Sequence, residues 1–202
     1  MRRSLAVLFL FSIALALPTY ARRHADANTA PGKYEEWGPN IDQMEIMKTF
    51  KFADYKKIVV VPVDATNTTM PEKSDNSYEA ARSVVATATD PLVAGMKEVL
   101  EKANIDVDRD PGKSAGTLII RTRLVSMDPG SQAARMWVGY GAGAAQTKVE
   151  GDIVDAKSGE VLAKFTQERR SGKSWGGSGY GTMMNKNLHA IGEDVANILK
   201  AF

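Results

Sequence analysis

None of the 202 residues is a cysteine, so the chain has neither a disulfide framework nor a thiol to carry the lipid of a lipoprotein. Histidine is nearly absent as well. The two present, His24 and His189, are too few and too far apart in sequence for a histidine-based metal site, and no metal or cofactor is expected. No charge of one sign dominates, with 26 Lys and Arg against 24 Asp and Glu. The only tight basic group is Arg169-Arg170 with Lys173. Nucleic-acid binding needs a clustered positive field to release counterions from phosphates, so it is not expected, and the basic group reads as a solvated strand end. Also missing is an apolar run of the roughly 20 residues that span a bilayer core.

The longest apolar run, Leu5 to Leu17, is interrupted by Ser12 and preceded by the positive Met1-Arg2-Arg3. This is the layout of a secretory signal peptide. Pro18-Thr19-Tyr20-Ala21 ends the run and offers small residues to the peptidase, which places the cut after Ala21, with Ala25-Asp26-Ala27 as the fallback. Cleavage removes Arg2 and Arg3 and no acid, leaving 24 basic residues against 24 acidic ones. The mature chain is expected to be periplasmic or otherwise exported, and soluble.

Residues 22–46 are rich in Ala, Pro, Gly, Asn and charge without periodicity and read as a flexible leader, and residues 47–202 as a single domain. Ile58-Val59-Val60-Val61-Pro62-Val63 is a buried strand whose pairing ends at Pro62. Apolar residues from Ala81 to Ala103 recur at helical spacing. Pro91 divides them into two consecutive helices, the second capped by Asp90. Residues 105–108 form a short strand and 117–125 a longer one, an amphipathic edge with Arg121 and Arg123 on one face. Two half-buried strands follow at 148–153 and 161–166, joined by the tight turn Asp155-Ala156-Lys157-Ser158-Gly159-Glu160, in which Gly159 supplies the positive φ of a bulged hairpin. Met184, Leu188, Ile191, Val195, Ile198 and Phe202 make the apolar stripe of a last helix, with Thr182 as its cap. The fold class is α/β (α+β): a two-layer sandwich with a mixed sheet of about five strands and helices packed on one face.

Several chemical motifs fail on their context. Gly172-Lys173-Ser174-Trp175-Gly176 matches a nucleophile elbow, but the only downstream histidine is His189 and no acid lies between them. Ser174 with His189 therefore stands only as the alternative, a serine hydrolase. The same Gly-Lys-Ser lacks the earlier glycine of a phosphate-binding loop, where Gln167 stands, and the Gly139, Gly141, Ala144 series leads into a strand rather than a helix. Asp106, Asp108 and Asp110 open like a calcium loop, but Pro111 and Thr117 occupy the positions of its glycine and glutamate. His189 and Glu193, four apart, read as a surface helix pair.

What remains is Asp128-Pro129-Gly130-Ser131 followed by Arg135, Trp137, Gly139, Tyr140, Gly141 and Gly143. Glycines allow close backbone approach, while Trp and Tyr offer contact area at little entropy loss. This segment is the candidate interaction loop: an oligomer contact, a peripheral membrane contact, or a loop folded over the end of the sheet.

Through Ile58–Val63, then Asp128-Pro129-Gly130-Ser131, Arg135, Gly139, Gly141 and Gly143, then Val154-Asp155-Ala156-Lys157-Ser158-Gly159-Glu160-Val161-Leu162, the chain resembles an uncharacterised family of Gram-negative envelope proteins and lipoproteins, the domain of unknown function DUF4410. More distantly it resembles the curli secretion channel subunit, which also sets a glycine-rich segment before a hairpin ending in Gly-Glu-Val-Leu. The resemblance implies a two-layer α/β fold and an envelope location but no activity. The expectation is a non-catalytic envelope protein that binds a partner or itself, with a membrane-associated oligomeric secretion component as a further alternative.

Overall fold

The structure is a computed structural model that describes residues 27–130, 144–171 and 179–202. The signal segment and cleavage site lie outside the described residues. Order begins earlier than composition suggests. Residues 32–46, read above as flexible leader, form a hairpin of β1 (Gly32–Trp37) and β2 (Ile41–Ile46). Its burial explains why: Trp37, Ile41, Met44 and Ile46 all enter the main core.

A 3-10 turn (Phe52–Asp54) leads to β3 (Lys57–Val60), which stops ahead of Pro62 as expected. Pairing does not end there, because Asp64 and Thr69 still bridge to Arg123 and Ser126. The helical stretch divides into α1 (Tyr78–Ala86) and α2 (Thr89–Val99), with Pro91 in the first turn of α2, where its missing N–H has no partner to lose. Asp90 lies inside that turn rather than capping it, and the cap position is Ala88. Then come β4 (Asn104–Val107), β5 (Thr117–Asp128), β6 (Gln146–Asp155), β7 (Val161–Arg170) and α3 (Tyr180–Ala201), whose cap position is Gly179 and not Thr182.

Among the described residues the sheet has seven strands, not about five, in the order β1-β2-β7-β6-β5-β3-β4. β3 runs parallel to β4 and β5, and the other neighbours are antiparallel. β5 is therefore interior, flanked by β3 and β6, and not the edge its arginines suggested. Those arginines belong to an open polar face. Arg121 lies opposite Asp152, which lies opposite Lys164, and Arg123 pairs with Glu150. Leu118, Ile120, Leu124, Val149, Ile153 and Phe165 face the other way and meet the helices in one core. Alternation along the strands thus produces a sheet covered on one face. The β6–β7 turn is as read: Gly159 has φ +74°, and its N–H donates to the Asp155 carbonyl at 2.8 Å.

The helical layer rests on a close crossing. A Cβ added to Gly95 of α2 would collide with the His189 carbonyl of α3, and one added to Gly192 would collide with the Leu92 carbonyl. The two backbones touch with no side chain between them. Along α3, Met184, Leu188, Ile191, Val195 and Ile198 are buried, and Phe202 stacks on Phe50 at 4.3 Å and on Trp37 at 6.0 Å between ring centroids. No helix among the described residues is long and apolar enough to cross a membrane.

In an unobstructed helix interior, Gly→Ala stabilises by about 1 kcal/mol. At Gly95 and Gly192 the sign reverses, because the new methyl must push two backbones apart. Gly95→Ala and Gly192→Ala are each expected to destabilise by about 2 kcal/mol or more, read from the urea midpoint. A gain at either site would show that the helices do not cross there.

Candidate functional site

The rim of the sheet where β5 ends brings the two glycine-rich segments together. Asp128 of β5 is registered with Gln146 of β6, which is registered with Arg170 of β7. The chain therefore leaves and re-enters the sheet for segment 129–145, and leaves it again for segment 171–179, at one line of neighbouring strands. The ends are tied together. Ala145 N–H donates to Ser171 Oγ at 3.1 Å, and Ser171 N–H donates to the Ala145 carbonyl at 2.9 Å. The same carbonyl accepts from Asn187 Nδ2 of α3 at 3.1 Å. Asn187, in the second turn of α3, is a buried amide whose partner is this backbone, so that turn is fixed to the same rim.

Of the candidate loop residues, only Gly130 falls among the described ones. It has φ +71°, which favours glycine, and its N–H donates to Asp128 Oδ1 at 2.7 Å. Ser131, Arg135, Trp137, Gly139, Tyr140, Gly141 and Gly143 lie outside the described residues, as does Ser174. Beside the rim is a groove of about 520 Å³, whose lining includes Thr69, Pro71, Ser126 and the carboxylates of Glu72, Asp75 and Asp128. Hydrogen bonds from Ser77 hold the Asp75 carboxyl below the ordinary aspartate value, so the groove keeps negative charge.

Arg169 is not a solvated strand end. Its guanidinium makes a two-pronged pair with Asp194 of α3, with Nε 2.7 Å from Oδ2 and the second nitrogen on Oδ1. Gln167 Nε2 also donates to Asp194 at 2.8 Å, and Gln167 Oε1 accepts from the Asp42 N–H of β2 at 3.1 Å. The Asp194 side chain is 1% exposed. Burial pushes its carboxyl up from the ordinary value, and the Arg169 and Gln167 hydrogen bonds pull against that. This chain of polar contacts joins α3 to β7 and β2. Composition could not reveal it, but position could: Asp194 stands between Ile191 and Val195 in the stripe that α3 buries.

A further titratable cluster joins the helices. His189 stands between Glu98 of α2 and Glu193 of α3, its Nε2 3.3 Å from Glu98 and its Nδ1 3.3 Å from Glu193. The helix pair read from sequence is present, and Glu98, on a different helix, adds a third member. The Asp106, Asp108, Asp110 series forms no such group: Asp106 pairs with Lys57 at 2.8 Å, and Asp108 accepts the Asp110 N–H at 3.0 Å.

Comparison with known proteins follows the fold. The family described as Domain of unknown function (DUF4410) matches residues 42–173, from β2 through the end of β7. The chain belongs to this family. Its α3, with His189, Asn187 and Asp194, lies beyond the matched stretch. No curated protein matches. Among solved structures, the PelC dodecamer from Paraburkholderia phytofirmans is 14% identical, covers 74% of this chain and 96% of its own, and has a TM-score of 0.40. The hypothetical protein CT253 from Chlamydia trachomatis is 9% identical over 73% of this chain and 99% of its own, with a TM-score of 0.46. Lipoprotein GNA1162 from Neisseria meningitidis is 14% identical over 71% and 99%, with a TM-score of 0.31. These likenesses are too distant to carry an activity or an assembly across to this chain.

Removing one member of a buried charge pair leaves the other uncompensated. Asp194→Ala strands the Arg169 guanidinium and the Gln167 amide, and is expected to cost about 3 kcal/mol in urea unfolding. Arg169→Met combined with Asp194→Leu should recover most of that loss. Equal destabilisation in the single and double variants would show that the pair contributes nothing beyond packing.

Proposed function

We propose that the chain is a non-catalytic, exported envelope protein that binds a partner protein, copies of itself included, through the rim from which segments 129–145 and 171–179 leave the sheet. The observation that carries this reading is the convergence of three strand ends, Asp128, Gln146 and Arg170, on one line, tied by the Ala145, Ser171 and Asn187 hydrogen bonds. Two segments rich in glycine, with Trp137 and Tyr140 in the first and Trp175 in the second, thereby start from one shared edge. Aromatic side chains on such a surface supply the anchors that dominate protein–protein affinity. Export rests on the signal pattern of residues 1–21.

The serine-hydrolase alternative needs a histidine nitrogen free to accept the Ser174 proton. Both ring nitrogens of His189 face carboxylates instead, which favours the non-catalytic reading.

Light scattering on protein released from the periplasm gives the test. The mature protein is expected to show a defined oligomer, or a complex with an envelope partner, that Trp137→Ala and Arg135→Ala each weaken by about tenfold or more. Association untouched by both substitutions would remove this surface from consideration. Covalent labelling of Ser174 by a fluorophosphonate in folded protein would overturn the non-catalytic assignment.

A further inference from the structure

We propose that Glu98, His189 and Glu193 form a divalent-cation site of the zinc class that bridges α2 and α3. The three side chains offer one imidazole nitrogen and two carboxylate oxygens, and these ligand atoms all lie within 4.8 Å of one another. An ion with bonds of about 2.0–2.2 Å in tetrahedral geometry sets its ligand atoms roughly 3.3–3.6 Å apart. The 3.3 Å contact between His189 Nδ1 and Glu193 matches that spacing, while the 3.3 Å contact with Glu98 is made by the other ring nitrogen, Nε2. Gathering all three ligands onto one ion at Nδ1 asks Glu98, which is 67% exposed, to swing round from the Nε2 side.

The site is built on rigid parts. The His189 carbonyl is the group against which Gly95 packs, so the backbone crossing itself fixes His189 relative to Glu98, one turn further along α2. Glu193 follows His189 by four residues, which places it on the same face of α3. Metal sites in helical layers are assembled in this manner, from a histidine and carboxylates on facing helices. Three protein ligands leave the remaining coordination to water. An imidazole with two carboxylates suits zinc and its first-row neighbours, whereas calcium and magnesium prefer oxygen alone. A bound ion would clamp the two helices at their closest point.

Titration calorimetry of zinc chloride into the exported full-length protein, in a weakly coordinating buffer at about pH 7.5, tests the site. One saturable equivalent is expected, with a raised thermal midpoint. Glu98→Gln, at an exposed position, should lose about tenfold in affinity while the metal-free midpoint stays unchanged. His189→Ala should abolish binding and His24→Ala should leave it intact, which separates the site from the other histidine of the chain. Absence of saturable binding, binding that survives both His189→Ala and Glu98→Gln, or binding lost in His24→Ala would overturn the proposal.

Discussion

Where Gly95 and Gly192 meet, the backbones of α2 and α3 come into direct contact, and no other pair of residue types allows that spacing. The contact sets how closely the axes of α2 and α3 approach. With α2 held close, α3 can turn Met184, Leu188, Ile191 and Val195 into the core while its His189 edge faces Glu98. A wider crossing would open a void between the two helices, and interiors tolerate such voids poorly. The crossing thus couples the burial of the longest helix to the placement of the only histidine in the domain.

A second constraint runs beneath α3. Asp194 enters an otherwise apolar interface and is satisfied there by Arg169 and Gln167 of β7, while Gln167 reaches on to the Asp42 N–H of β2. Buried polar networks of this kind fix register, because a shift by one residue would leave each member without its partner. At the neighbouring rim, Asn187 does similar work on the Ala145 carbonyl, so the glycine-rich segments depart from a braced edge. The stiff framework and the segments it presents divide the labour between packing and contact.

Much of this was legible in the residues themselves. The β6–β7 hairpin announced itself by strict alternation around Gly159, the division of the helices by Pro91, and the cover of the sheet by the stripe ending at Phe202. The first hairpin was hidden because Ile41, Met44 and Ile46 are spaced three and then two apart, which fits neither strand nor helix, and because Trp37 sits among glycine and charge. β5 looked like an edge because Arg121 and Arg123 face solvent, and the sequence cannot show that the opposite face and both flanks are covered. Arg169 was misjudged, and the His189–Glu193 pair was read without its third member, for one shared reason. Their partners, Asp194 and Glu98, lie on other elements, and pairing across elements has no local signature.

Native-state hydrogen exchange is the most direct test of the claim that the α2–α3 crossing holds the helical layer to the sheet. The amides around Gly95 and Gly192 should be among the slowest to exchange, opening only with the amides of β5, β6 and β7 in global unfolding. Amides of α2 that exchange orders of magnitude faster than those of β6 would show that the helix opens on its own, and that the crossing is not what the fold depends on.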